Sequence, residues 1–248
     1  MIPPTASLPS PTPRAAQSAN ALTIVVGGRA LECLAARALW WPEARTLFIA
    51  DVHLGKAESF RALGVPVPVG LQGPTAATLV RLDQVLSERP VRRLVVLGDL
   101  LHARAAQSDA VMQPLAAWRA RHAALEIHLL RGNHDGHAGD PPSSLGIETL
   151  AEPARMGPWR LQHEPRHDWT RRQGSHSAPE GIALSGHLHP VIQLTGRAGD
   201  RARLPCFCVA EDEIVLPAFG AFTGGAPVQP RPGCRFVAIA QDRLFTLG

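Results

Sequence analysis

The chain of 248 residues contains no tyrosine and a single lysine, Lys56, and aromatic residues make up only 5% of it. So few aromatic faces leave little material for a nucleobase-stacking platform. Four cysteines, Cys33, Cys206, Cys208 and Cys234, are too few and too scattered to staple a chain of this length. Cys206 and Cys208 alternate, so in a strand they share a face and read as small buried residues, in keeping with a reducing cytoplasm. No apolar run approaches the roughly 18 residues a membrane helix needs. The N-terminus also lacks a basic stretch followed by an apolar one, so no signal peptide and no membrane partner are expected.

Charge of one sign is nearly balanced, with 25 basic and 21 acidic residues. The pI of about 9.4 therefore rests on arginine. Arginine's planar fork suits phosphate oxygens, but a GC-rich genome produces the same bias, so the bias alone names no partner. The hydrophobic fraction of 45% provides ample core for one large α/β domain. Residues 1–20, rich in Pro, Ser and Ala, read as a disordered tail ahead of a single domain over 21–248.

Five short apolar runs end in polar clusters. Residues 46–50 lead into Asp51-Val52-His53, and 93–97 into Gly98-Asp99. Residues 126–130 lead into Gly132-Asn133-His134-Asp135, 159–162 into His163, and 181–185 into Gly186-His187-Leu188-His189. Run length and bounding glycines predict buried strands. Helical spacing of Leu79, Leu82 and Leu86 lies between them, within 74–89. A second candidate helix covers 110–124, with Pro114 expected near its first turn. Strand and helix alternation implies right-handed crossovers and a parallel sheet. Beyond about Ile147 strands dominate, so two packed sheets with helices outside are expected.

Ligands of open α/β sheets bind beyond the carboxyl ends of strands, where all five clusters sit. Their carboxylates, imidazoles and amide, without thiolate, suit Mn²⁺, Fe or Zn²⁺ in a reactive site. Asp51 and His53, one residue apart, point to one face of extended chain and can grip one ion. Asp99 follows a glycine that permits a tight turn, and its two oxygens can bridge two ions. Asn133 offers a neutral carbonyl oxygen, and His187 and His189 repeat the alternate spacing. A lone Asp-x-His or Gly-Asp is commonplace; the whole set in this order, each member behind an apolar run, is specific.

The ordered set resembles the calcineurin-like metallophosphoesterases over about residues 46–190. The resemblance implies an α/β, four-layer αββα sandwich of two mixed β-sheets flanked by helices, and two divalent ions, Mn²⁺ first with Fe or Zn²⁺ as alternatives. It further implies that Asp51, His53 and His189 bind one ion and that Asn133, His163 and His187 bind the other. Asp99 bridges them, and His134 contacts the substrate phosphate and assists the leaving group. Finer strings, 51–61, 98–102, 163–165, 186–190 and 216–225, are similar to the bacterial ligase-associated DNA-damage-response phosphoesterases, a group of manganese-dependent endonucleases. That likeness, over about 22–246, implies DNA as substrate and a link to an ATP-dependent DNA ligase, a helicase and a nuclease. The rival enzyme reading is a phosphoesterase for a cyclic nucleotide or nucleotide pyrophosphate. A non-catalytic scaffold has no need of every ligand.

Lys56 and Arg61, after the first motif, and His102, three residues past Asp99, are candidates for holding substrate, against solvated charges and a loop histidine as the plainer readings. Arg155, Arg160, Arg166, Arg171 and Arg172 form either a basic rim around His163 or a scattered solvated surface. His122, His128, His137, His167 and His176 match no ligand position. Trp169 and Trp159 are the aromatics near those arginines, Trp159 being the better core residue. Phe219 and Phe222, framed by glycines, read as a tight turn at a sheet edge, the alternative being a loop at the pocket mouth.

Overall fold

The computed structural model of the chain describes residues 20–67, 73–170, 181–196 and 199–247. The expected tail over 1–20 therefore lies, except for Asn20, outside the described residues.

The first sheet runs in sequence order: β1 (Ala21–Val26), β2 (Arg29–Leu34), β3 (Leu39–Trp41), β4 (Thr46–Ile49), β5 (Arg93–Leu97), β6 (Glu126–Leu130) and β7 (Ile147–Leu150). Pairing is antiparallel from β1 to β4 and parallel from β4 to β7. Parallel neighbours cannot be joined by hairpins. Helices α1 (Lys56–Ala62) and α2 (Gly73–Glu88) accordingly lie between β4 and β5, α3 (Asp109–Arg121) between β5 and β6, and α4 (Asn133–Ala138) between β6 and β7.

The central strands are apolar throughout because both of their faces are covered. Leu47, Ile49, Leu94, Val96, Ile127 and Leu129 pack with the helices, and the alternate residues Phe48, Val95, Leu97 and Leu130 pack between the sheets. Helix α2 buries Thr75, Thr78, Leu79, Leu82 and Val85, one face at helical spacing. In α3, Pro114 sits one turn deeper than expected, inside the helix. It removes the bond that residue 114 would have given Ala110, while Val111, Leu115 and Trp118 still bury one face.

The second sheet comprises β8 (Ala154–Met156), β9 (Trp159–Leu161), β10 (Ile182–Ser185), β11 (Pro190–Thr195), β12 (Arg201–Val209), β13 (Glu213–Val215), β14 (Ala226–Pro227), β15 (Arg235–Ala240) and β16 (Arg243–Leu247). Its order is β14-β11-β12-β13-β10-β9-β8, with β15 on β12 and β16 on β15. Strands β9, β10 and β13 run parallel, and β12 pairs antiparallel with β11, β13 and β15. The sheets meet through Phe207, Val209, Val237 and Ile239, with Trp159 edge-on to Trp41 at 5.7 Å. On the far face of the second sheet, Trp169, Val228 and Phe236 cover the buried free thiols of Cys206 and Cys208. Two mixed sheets with helices are what the family resemblance implied; the parallel sheet that the sequence pattern indicated is the part from β4 to β7, and β1 to β4 add antiparallel pairs. Among the described residues no helix is long and apolar enough to cross a membrane.

Candidate metal centre

All five polar clusters leave the carboxyl ends of their strands toward one place. The chain beyond β4 and the chain beyond β5 stay side by side: Asp51 N–H donates to Gly98 O (3.1 Å) and His53 N–H to Asp99 O (2.8 Å). Asp51, His53, Asp99, His187 and His189 all adopt positive φ, between 48° and 66°, and account for five of the eight such non-glycine residues among those described. Each costs about 1–3 kcal/mol and persists only where the surroundings enforce it. Asp51 and His53 are thus not on extended chain, as their spacing suggested. Left-handed backbone turns them inward instead, because the loops must fold back over the sheet edge. Two glycines make room. Gly98 has φ +88°, and a Cβ there would stand 1.9 Å from His163 Nδ1; one on Gly132 would stand 2.1 Å from Asp99 Oδ1.

Two groups of donor atoms result. In the first, His53 Nε2 and His189 Nε2 are 3.0 Å apart, with Asp51 Oδ1 3.5 Å from His189 Nε2. In the second, Asn133 Oδ1, His163 Nε2 and His187 Nδ1 form a triangle of 3.0, 3.1 and 3.1 Å. Asp99 Oδ2 lies between the groups, 3.7 Å from His53 Nε2 and 3.6 Å from His163 Nε2. Asp51 is itself aimed by the His187 N–H, which donates to both carboxylate oxygens at 3.0 and 2.9 Å.

His163 Nδ1–H donates to Leu97 O at 3.1 Å, so in the neutral ring Nε2 presents a bare lone pair to the triangle. Burial, followed by the nearby His189, Lys56, His134 and His102, pulls the His53 imidazole down to about 2. His53 is therefore a neutral lone-pair donor at any ordinary pH. Imidazole, amide and carboxylate donors converging on one place, with no thiolate, fit divalent cations. Asp51, His53 and His189, and likewise Asp51, Asp99 and His163, bring one ligand atom each within 4.8 Å of one another.

His134 stands beside the first group. Its N–H donates to Asp99 Oδ1 (2.9 Å) and its Nδ1–H to His102 O (2.8 Å), which leaves Nε2 free. Its ring stacks on His102 at 4.5 Å and meets His53 edge-on at 4.9 Å. Asp135 fixes the turn by accepting the N–H groups of Leu101 and Gly132, both at 2.9 Å. His102 Nδ1 lies 3.2 Å from His53 Nδ1, and burial followed by His134 lowers its pKa to about 4. His53, His102 and His134 form a third close group.

Of the outer candidates, half-buried Lys56 faces the centre: burial lowers its ammonium pKa, while Asp51 and Asp99 pull it up. Arg61 is not brought in; it pairs with Glu58 at 3.1 Å on the exposed side of α1. Arg160 donates to Gln162 Oε1 at 3.2 Å, and Arg171, Arg172 and His176 lie outside the described residues. Trp169 is no stacking platform, being fully buried with its Nε1–H on Glu213 at 2.9 Å. Trp159 is buried too. His122 and His167 contact Asp83 and Asp212, and His137 contacts Asn133 O, away from the donor atoms.

Sequence reasoning missed two supports, Glu152 and Glu213. Glu152 Oε1 accepts the His163 N–H at 2.7 Å. Buried Glu213 accepts the N–H groups of Arg166 (2.6 Å) and His167, pinning the segment after His163. The loop over 216–225 docks behind Asp51, with Phe219 N–H on Ala50 O (2.8 Å) and Gly220 N–H on Asp51 O (3.2 Å). Phe222 meets Phe60 edge-on at 5.8 Å, and Phe60 is 6.3 Å from His102, so this loop borders the pocket mouth. Nothing local marks the two glutamates, whose partners are distant in sequence.

The calcineurin-like phosphoesterase family model matches residues 44–196. The crystal structure of Pseudomonas putida nuclease MPE is 42% identical to the chain, covering 92% of it and 100% of that protein, with a TM-score of 0.74. Yfce, a phosphoesterase from E. coli, aligns at 13% identity over 80% of this chain and 90% of its own, with a TM-score of 0.35. No curated protein matches the chain.

Proposed function

The chain belongs to the calcineurin-like phosphoesterases, metal-dependent hydrolases with a dinuclear site, and we propose on that premise that it is a phosphodiesterase that cuts DNA as an endonuclease. In this reading Asp51, His53 and His189 hold one ion, Asn133, His163 and His187 the other, and Asp99 both. The observation that supports it most is Asp99 Oδ2 lying 3.7 and 3.6 Å from an imidazole nitrogen of each group. When bound, two such ions would make a bound water more acidic and offset the negative charge of the phosphoryl oxygens. Mn²⁺ is the proposed metal, with Fe or Zn²⁺ as alternatives that the same donors accept.

The chain's own residues supply the rest. His134 holds Nδ1–H on His102 O, so its Nε2 is the atom left to meet substrate. With both ring nitrogens protonated, it donates the Nε2 proton to the leaving oxygen, or its positive charge stabilises the charge that gathers there. Lys56 brings a cation to the non-bridging phosphate oxygens. His102 orients both His134, through its carbonyl, and His53, through its ring. DNA as substrate draws support from the name of the 42%-identical P. putida protein, a nuclease. The sequence strings similar to the ligase-associated subfamily support a cytoplasmic repair role beside an ATP-dependent ligase, a helicase and a nuclease.

Mn²⁺-loaded protein tested on a bis-aryl phosphodiester, a monoester, cyclic nucleotides and circular single-stranded DNA decides the matter. The diester should be cut faster than the monoester, and the circle should be opened with a rate that falls steeply with salt. An intact circle with rapid cyclic-nucleotide hydrolysis would establish the small-nucleotide reading instead.

A further inference from the structure

Beside His189 lies a cavity of about 280 Å³ whose lining includes Arg37, Arg203, Thr223 and Gly224. Resting on the nuclease reading, we propose that this cavity seats a phosphate of the DNA strand adjacent to the one being cut, gripped by Arg37 and Arg203.

The two arginines come from distant parts of the fold. Arg37 occupies the turn between β2 and β3, where its N–H closes onto Leu34 O at 2.9 Å. Its φ is +66°, a conformation that favours glycine or asparagine. A long cationic side chain on such a backbone costs stability, which points to work for the side chain. Arg203 sits on β12 opposite Gln193 of β11. Both reach the loop over 216–225: Arg37 Nη1 donates to Ala218 O at 3.3 Å, and Arg203 Nη2 to Gly225 O at 2.6 Å. That loop is tied to the metal centre, since Ala226 N–H donates to His189 O at 3.0 Å.

The charge here is one-sided. Arg81, on α2, donates to Phe219 O and stands over the Phe219 ring at 5.7 Å. Among the described residues no carboxylate is within ion-pair distance of Arg37, Arg81 or Arg203; their hydrogen bonds run to carbonyl oxygens. Burial, with Arg81 second, draws the Arg37 guanidinium down to about 10, so it remains cationic at neutral pH. A guanidinium carries five N–H donors, and each carbonyl bond occupies one nitrogen. Donors remain for a phosphate, the anion whose geometry they match. Arg37 also lines a second cavity, of about 640 Å³, together with Arg81 and Arg89. Arg89 is neutralised by Glu32 and Glu88 at 3.3 and 3.2 Å, which leaves Arg37 and Arg81 as the arginines of that cavity without an ion-pair partner among the described residues.

A terminal phosphate of a small nucleotide shares this chemistry, so substrate length separates the two sources. Mn²⁺-loaded full-length wild type, Arg203→Ala, Arg203→Lys and Arg37→Lys are assayed on a thymidine dinucleotide with one phosphodiester, its 5′-phosphorylated form, and a ten-residue oligothymidylate. On the long strand Arg203→Ala should lose about tenfold in kcat/KM through KM, with partial recovery in Arg203→Lys, and the dinucleotide should lose less than about twofold. The slope of strand affinity against log salt should fall by about 0.7 for the one contact removed. Equal losses on dinucleotide and strand would assign the arginines to loop support alone. A loss on the 5′-phosphorylated dinucleotide with none on the ten-residue strand would make this a terminal-phosphate site. Wild type that cuts strands, with variants that cut them equally well, sinks this proposal alone. Wild type that hydrolyses a bis-aryl diester but no strand sinks the nuclease reading with it.

Discussion

The two halves of the donor cluster use similar residue types at different depths. Asp51 and His53 are 0% and 5% exposed, and His53 is ringed by His189, Lys56, His134 and His102, whose combined effect with burial suppresses its basicity. In the other half only His163 is buried, while Asn133 and His187 are exposed and the amide brings no charge. Desolvation keeps the His53 ring an uncharged lone-pair donor in the first half. The second half is open, so ligands and solvent reach it first. Asp99, 2% exposed, belongs to both and ties their fates together.

The largest effect should come from removing that tie. Asp99→Ala is expected to lose both ions and to lower phosphodiester turnover by roughly 10³-fold or more. Turnover within tenfold of wild type would mean that the halves work independently.

His134→Ala probes the space over the buried half without touching a proposed ligand. The variant should keep its fold and both ions, and lose roughly 10²–10⁴-fold in turnover. A nitrophenolate leaving group, which needs no proton, should suffer less than a deoxyribose alkoxide. Equal losses on both would assign His134 to charge stabilisation, and loss of an ion would make it a ligand.

A smaller effect separates the halves directly. Limiting chelator added to wild type should remove the ion of the open half first, giving a one-ion species, before the buried half empties. Full depletion of both ions should lower Tm by roughly 10–20 °C, since each ion held at a hundredfold over its Kd contributes about 2.7 kcal/mol. Simultaneous loss of both ions would erase the distinction in depth.

What was legible in the sequence was whatever lies within a few residues. Strands β4, β5, β6, β9 and β10 were readable because burial on both faces demands unbroken apolar runs, and each ends in the polar cluster it positions. The candidate ligands were readable because Asp, Asn and His occur there without thiols. Backbone sign was not: Asp51 and His53 read as extended, yet their loops must turn back over the sheet edge, and left-handed φ is how they do it. Trp169 was marked only as an aromatic near the arginines, yet it is buried with its Nε1–H on Glu213, 44 residues away. Arg37 and Arg203 gave no signal, because only the folded loop over 216–225 brings them to one cavity.

The central claim is that two ions share Asp99. Anomalous diffraction from crystals grown with Mn²⁺ measures it most directly. Two peaks are expected, one among Asp51, His53 and His189 and one among Asn133, His163 and His187, roughly 3.5–4 Å apart and both within bonding distance of Asp99. A single peak, or a peak seated instead among His53, His102 and His134, would contradict it.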